Sequence, residues 1–145
     1  MAINSIESRE DSLTKYSFPN HYPANCPPQP YNEECGKYYR LVKTRDKLDP
    51  IHYKSHYEAK IREDLESTRA CSRRALSMFK DYEEALNLAR QFPTIGKYIA
   101  FLNLVGGHGV VCEENYCSFQ SHHNWWVPIK VNAPDFCLKI EGPVC

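Results

Sequence analysis

The sequence has no excess of charge of either sign. Its 145 residues include 18 Lys and Arg and 18 Asp and Glu, so the formal net charge at pH 7 is zero. A chain of this length is the usual size of one domain. Because its charges cancel, no overall field draws the protein to nucleic acid or to an anionic membrane. The balance of charge therefore argues against a nucleic-acid partner and indicates no other class of partner.

Long apolar runs are also missing. The longest, residues 99–105, is interrupted by Asn103 and is far shorter than the roughly 20 residues that span a bilayer. The first residues have neither the basic region nor the apolar run of a signal peptide. We therefore expect a cytoplasmic protein with no membrane partner. Its seven cysteines should then be mostly thiols, as in other proteins of reducing compartments.

Zinc-binding cysteine pairs are absent, because no Cys-x2-Cys occurs in the chain. Cys112, Cys117 and His122 are separated by four residues each and form a looser set of possible ligands. We interpret Cys112 and Cys137 as thiols packed in buried strands and predict no metal site. Cys71 lies beside Arg73 and Arg74, which would lower its pKa. Without a general base in reach, Cys71 is predicted to be a thiol at the solvent edge.

Prolines mark the organisation of the chain. Five of the ten lie within residues 1–36, where they favour extended, irregular backbone. Aromatic residues in the same stretch argue against full disorder. We predict an arm over residues 1–36 that lies on the domain from about Tyr16, with the first dozen residues mobile. Residues 37–145 are predicted to form a single domain.

Strands and helices follow from local patterns. Strands are predicted over 37–43, 75–79, 97–104, 110–112, 125–131 and 136–140. Asp49 followed by proline predicts a helix start, and Asp81 with Glu84 predicts a capping box before an amphipathic helix that ends at Pro93. The charged residues 60–69 are interpreted as a solvated helix or loop. Residues 106–109, rich in glycine, lack the Lys-Ser/Thr of a phosphate loop and predict a hairpin turn.

These elements predict an α+β fold: a small, mostly antiparallel sheet with two or three helices and an irregular Pro-rich N-terminal arm. Alternation in the first strand places Tyr39 and Leu41 on one face. Arg40 then shares the other face with Tyr38 and Val42. A partly buried arginine needs a partner, which is either a carboxylate in a structural ion pair or the phosphate of a ligand. The ion pair is the favoured alternative.

The segment His122-His123-Asn124-Trp125-Trp126 is unusual. Imidazoles titrate near neutral pH, bind metals or hold phosphate, and on a strand only one of the two histidines can face a given pocket. The two indoles offer a stacking surface for a base, a sugar or a nicotinamide ring. Alternatively, the indoles belong to the core and the histidines cap a turn.

Four segments resemble a group of small, uncharacterised bacterial proteins that are seen also in cyanobacteria. They are residues 39–42, 74–79, 82–90 and 122–126, and the likeness extends over roughly residues 37–140. Two departures are Arg74-Ala75, where glycine is usual, and Asn124, where threonine is usual. This resemblance implies no activity.

At the level of fold, the chain resembles ADP-ribosyltransferase-like domains. Arg40 on an early strand and Ser77 on a middle strand that runs into a helix match two of their elements. The late glutamate of those domains has no convincing counterpart, although Glu113, Glu114 and Glu141 are possible.

The resemblance implies a cleft for NAD or another nucleotide. Arg40 would hold the phosphate or ribose, Ser77 would support the nicotinamide ribose, and His122 or His123 would act as acid, base or ligand contact. The remaining contacts to the cofactor would come from Tyr39 and Trp125. The alternative is a non-enzymatic accessory module that binds a protein partner through the N-terminal arm and a surface formed by Trp125 and Trp126.

Overall fold

A six-stranded sheet dominates the computed structural model, which describes residues 16–59, 69–114 and 120–145. The strands are β1 (Gly36–Val42), β2 (Leu76–Phe79), β3 (Tyr98–Leu104), β4 (Val110–Glu113), β5 (His122–Trp126) and β6 (Cys137–Glu141). They lie in the order β4-β5-β2-β1-β3-β6, and every neighbouring pair is antiparallel. The described residues include one α-helix, α1 (Tyr82–Gln91), and three 3-10 turns, which are Pro50–Tyr53, Ser72–Arg74 and Ala133–Phe136.

The fold is therefore mostly β, and the predicted α+β fold with two or three helices is wrong. The helix predicted from Asp49 is the single 3-10 turn Pro50–Tyr53, which Asp49 caps as expected. The chain becomes extended at Lys54. The carbonyls of His52 and Lys54, which a longer helix would use, accept hydrogen bonds from the side chain of Arg40 instead. Most of the charged stretch 60–69 lies outside the described residues.

The helix predicted after Asp81 is confirmed. The Asp81 side chain accepts a hydrogen bond from the Glu83 amide at 3.0 Å, and the helix gives way at Phe92, just before Pro93. The predicted capping box does not form, because the carboxylate of Glu84 accepts a hydrogen bond from the Ser121 amide at 3.2 Å. This bond ties the first turn of α1 to the residue before β5.

The core lies on both faces of the sheet, as strand alternation predicts. Tyr38 and Val42 belong to the larger cluster, together with Leu76, Met78, Leu102, Val111 and Trp125. On the other face, Tyr39 and Leu41 pack with Phe79 against the apolar side of α1, formed by Ala85, Leu88 and Ala89. The side of β1 that carries each residue was thus predicted correctly.

Two of the predicted strand features are wrong. Strand β5 begins at His122 rather than at Trp125, and the residues after Trp126 turn at Pro128, whose carbonyl accepts a hydrogen bond from the Val131 amide. The glycine-rich residues 106–109 do connect β3 to β4, but those strands are not neighbours and form no hairpin. Gly109 has a φ of 115°, and a Cβ there would lie 2.5 Å from the Trp126 carbonyl oxygen.

The described part of the N-terminal arm is irregular and covers the β4–β5 end of the sheet. Phe18, Tyr22 and Tyr31 pack beside Val110 and Trp126. The Asn32 carbonyl accepts a hydrogen bond from the Val111 amide at 2.7 Å. The division of the chain at residue 36 stays a prediction, and the first dozen residues lie outside the described ranges.

A disulfide bond joins Cys26 of the arm to Cys71, so the prediction of a thiol at Cys71 is wrong. Cys35, Cys112, Cys137 and Cys145 are free thiols. Disulfide bonds are rare in reducing compartments, so this bond argues against the cytoplasmic location, which stays a prediction. Over the described ranges, no helix has both the length and the apolar character needed to cross a membrane.

Candidate functional site

A cleft of about 500 Å³ opens where β1 and β2 separate. Both strands are fully described, and they pair at Tyr39 and Phe79. Beyond that pair, the side chain of Arg40 bridges the two strands, because its Nη1 donates to the Ser77 carbonyl. The volume lies within the range of small-molecule sites in proteins. The cleft is lined by Arg40, Leu41, Val42, Lys43, Ile51, His52, Lys54, His56, Ala59, Ser77, Phe79, Leu88, Thr94, Ile95 and His122.

Arg40 is held by three backbone carbonyls. Its Nε donates to the His52 oxygen at 2.8 Å, Nη1 donates to the Ser77 oxygen at 2.7 Å, and Nη2 donates to the Lys54 oxygen at 3.3 Å. Burial lowers the pKa of Arg40 to about 10, which leaves the guanidinium charged at neutral pH.

The ion pair predicted for Arg40 does not form. Within the three described ranges, no carboxylate lies close enough to pair with its guanidinium. A guanidinium has five N–H donors, and the three bonds to carbonyls leave two of them unused. A half-buried positive charge with two unused N–H donors thus lines the cleft.

Ser77 and His122 meet in the same cleft. His122 Nε2 lies 3.1 Å from Ser77 Oγ, and its Nδ1 lies 2.9 Å from the backbone oxygen of Glu114. Because a carbonyl can only accept, Nδ1 carries the proton and Nε2 accepts from the Ser77 hydroxyl. Burial lowers the pKa of His122 below its usual value, although the Glu114 carbonyl raises it. The imidazole is therefore neutral at pH 7.

His123 lies on the other face of the sheet, as alternation requires. Its Nδ1 contacts the Ser121 oxygen at 2.8 Å, and its Nε2 lies 3.5 Å from the Glu34 carboxylate. Its ring packs edge-on against Tyr38 at 5.1 Å. The structure thus brings Arg40, Ser77 and His122 together and leaves His123 out.

The two residues predicted to contact a cofactor lie elsewhere. Tyr39 packs edge-on against Phe101 with ring centroids 5.1 Å apart, on the side of the sheet that carries α1. Trp125 is 0% exposed, and its indole N–H donates to the His108 oxygen at 2.7 Å. Trp126 is 2% exposed. Neither indole can stack on a ligand, so the alternative that places both in the core is confirmed.

The carboxylate expected by analogy with ADP-ribosyltransferase-like domains is missing from the cleft. Glu113, Glu114 and Glu141 are all outside its lining. The Glu114 carboxylate accepts a hydrogen bond from the Ser72 hydroxyl at 2.7 Å, and that of Glu141 contacts Lys139 Nζ at 3.0 Å. The described lining therefore has no group to polarise a ribose as a glycosidic bond breaks.

The described ranges contain no cluster of three or more His, Cys, Asp or Glu side chains that could hold a metal ion. Cys117 lies outside those ranges, so the set Cys112, Cys117 and His122 is untested.

Positive charge and apolar surface both line the cleft. Lys43 and Lys54 are exposed at its rim, and the lining contains no Asp or Glu from the part of the chain that the structure describes. Sequence analysis did not identify Lys43, Lys54, His52 or His56 as site residues. No recognisable motif lies in residues 43–56 that would have pointed to them. Apolar side chains such as Phe79 supply the rest of the wall.

A second cavity, of about 390 Å³, lies among prolines between the arm and the residues after β5. Its charged members include Arg74, whose guanidinium donates to the His21 and Ala70 carbonyls at 2.8 Å each. It contains none of the predicted site residues. Because Arg40, Ser77 and His122 line the larger cleft, that cleft is the candidate functional site.

No protein-family model, no curated protein and no solved structure matches the chain. The resemblances to the bacterial group and to ADP-ribosyltransferase-like domains therefore stay predictions. Function has to be argued from the cleft itself.

Proposed function

We propose that the cleft binds a small molecule that carries a phosphate group, as nucleotides and NAD do. The observation that carries the proposal is the half-buried guanidinium of Arg40, which has two unused N–H donors and no carboxylate partner in the described ranges. A charge that is partly removed from water without an opposite charge is unfavourable, and an anion bound in the cleft would supply that opposite charge. Guanidinium groups bind phosphate oxygens in a two-pronged geometry.

The charge around Arg40 supports a phosphate over a neutral ligand. Lys43 and Lys54 add two exposed ammonium groups at the rim, and no acidic side chain among the described lining residues opposes them. The chain as a whole is neutral, so this positive charge is a local feature.

The apolar wall supports a ligand with a flat organic part. Phe79, Ile51 and Ile95 line the cleft, and the last two side chains are 42% and 50% exposed. A base or nicotinamide ring that packed there would remove apolar surface from water. The alternative function, an accessory module that binds a protein partner, requires an exposed surface formed by Trp125 and Trp126. Both tryptophans are buried, so the described structure offers no such surface.

The test uses the rim lysines, since Arg40→Ala would also remove three hydrogen bonds that hold the fold. Binding of inorganic phosphate, AMP, ADP and NAD is measured by calorimetry for the wild type, Lys43→Ala, Lys54→Ala and the double variant. Lys130→Ala is the matched control, because Lys130 is exposed and lies outside the cleft. Each exposed charge contributes roughly 0.2–1 kcal/mol, so each rim variant should weaken binding by about 1.5- to 5-fold.

Added salt should weaken binding in the wild type and less so in the double variant. The proposal is wrong if none of the four ligands binds at millimolar concentration. It is also wrong if the rim variants bind with the same affinity as Lys130→Ala.

A further inference from the structure

We infer that Ser77 is a nucleophile activated by His122, and that the cleft hydrolyses an ester or thioester of a small anionic acid. The inference rests on the proposed function for the charge of the substrate, and on the Ser77–His122 geometry for the reaction. An activated serine needs a base within hydrogen-bond distance and a third group that orients the base.

Both requirements are met in the structure. The Ser77 hydroxyl lies 3.1 Å from His122 Nε2, inside the range for proton transfer. The Glu114 carbonyl, 2.9 Å from Nδ1, fixes the tautomer in which Nε2 is the acceptor. Ser77 is half-buried and lines the cleft with His122, so a ligand can reach its hydroxyl.

The charges around His122 leave it able to accept a proton. Burial and the neighbouring His123 lower its pKa, while Glu114 and Glu84 raise it, and the net shift is downward. A neutral imidazole is the form that a general base requires.

Arg40 is the charged group that lines the same cleft as the nucleophile. Its Nη1 donates to the backbone oxygen of Ser77 at 2.7 Å, so the guanidinium lies next to the strand that carries the serine. The two unused N–H donors of that guanidinium can stabilise the negative oxygen that develops on the substrate carbonyl. The same charge would hold an anionic substrate.

The reaction has two balanced halves. Ser77 Oγ attacks the acyl carbon and its proton passes to His122 Nε2; the bond to the leaving alcohol or thiol then breaks, and that group takes the proton from Nε2. A water molecule next gives a proton to Nε2 and attacks the acyl-serine, whose C–O bond breaks. The proton returns to Ser77 Oγ, and the carboxylic acid is released.

The test is covalent labelling of the full chain with a fluorophosphonate, in which a bond from Ser77 Oγ to phosphorus replaces the P–F bond and fluoride leaves. Peptide mass spectrometry should place the adduct on Ser77, and Ser77→Ala should lose it. Ser17→Ala is the control, because Ser17 is exposed and lies outside the cleft. His122→Gln should slow labelling and the hydrolysis of p-nitrophenyl acetate by about 100-fold or more.

A second measurement covers the case in which His122→Gln fails to fold. The wild-type labelling rate should rise with pH through a midpoint below 6.5, the ordinary value for histidine, and then stay level. Absence of an adduct at Ser77 would overturn the inference. So would an unchanged rate in folded His122→Gln, or a rate that keeps rising above pH 8.

The same set of proteins separates the two proposals. If AMP binds to Ser77→Ala and to the wild type alike while Ser77 stays unlabelled, the hydrolase inference fails alone. If Ser77 is labelled but no phosphate-bearing ligand binds, the proposed function fails and so does the anionic charge of the substrate, while the assignment of Ser77 as the nucleophile stands.

Discussion

The disulfide bond between Cys26 and Cys71 should contribute a large share of the stability of the protein. It links the arm to the residues just before the 3-10 turn Ser72–Arg74. Replacing both cysteines with serine removes the link without changing the length of the chain. The arm keeps other contacts, including the 2.8 Å hydrogen bond from Arg74 Nε to the His21 carbonyl.

The size of the effect follows from the loop that the bond closes. The two cysteines are 45 residues apart in sequence. A link across that loop restricts the unfolded chain and raises the free energy of unfolding by about 4 kcal/mol. Domains of this kind have total stabilities of roughly 5–15 kcal/mol, so the variant should still fold. Its melting temperature should fall by about 8–16 °C.

The assay is urea and thermal unfolding of the oxidised wild type, the reduced wild type and the double variant Cys26→Ser/Cys71→Ser. Fluorescence of Trp125 and Trp126 reports unfolding, because both indoles are buried. Cys35→Ser is the control, since Cys35 is an exposed free thiol.

Reduced wild type and the double variant should lose the same amount of stability, and Cys35→Ser should lose none. The reasoning is refuted if the double variant unfolds within about 1 kcal/mol of the oxidised wild type, well under the loss expected for a loop of this length. It is refuted equally if peptide mapping of the oxidised protein finds Cys26 and Cys71 as thiols.

Two further predictions concern the surroundings of the cleft. Gly96→Ala should lower the free energy of unfolding by roughly 1–3 kcal/mol in urea titrations, because the new Cβ would lie 2.6 Å from the Val42 carbonyl oxygen. Gly107→Ala reports the cost of backbone strain alone, because Gly107 has a φ of 71° and its new Cβ would have no atom within 4 Å. Burial lowers the pKa of His122 and His52, so the unfolded chain binds more protons, and stability should be constant above pH 6.5 and fall below it. Urea midpoints from pH 5 to 8 test this, and a flat profile would contradict it.

Local sequence patterns predicted most of the elements that depend on local physics. The cap at Asp81, the end of α1 before Pro93 and the alternation along β1 all follow from interactions within a few residues. Alternation also predicted that His122 and His123 face opposite sides of the sheet. What these patterns could not supply is which strands become neighbours, since that depends on pairing between distant residues.

The failures share this cause. The glycine-rich residues 106–109 have the composition of a hairpin turn, but β3 and β4 pair with other strands. The two tryptophans could be a platform or core, and only the packing of the arm and of β4 over β5 decides between them. The pairing of Cys26 with Cys71 likewise requires that the arm fold back, which the spacing of the cysteines does not encode.

Arg40 connects the main error about the fold with the main finding about the site. Its guanidinium takes the carbonyls of His52 and Lys54, so the chain after Asp49 does not continue as a helix. The same guanidinium takes the carbonyl of Ser77 in the gap between β1 and β2, in the cleft that Ser77 and His122 also line. Three backbone carbonyls satisfy its hydrogen bonds but leave its charge without an opposite charge in the described ranges. Because carbonyls and no described carboxylate hold Arg40, its charge remains available to an anionic ligand.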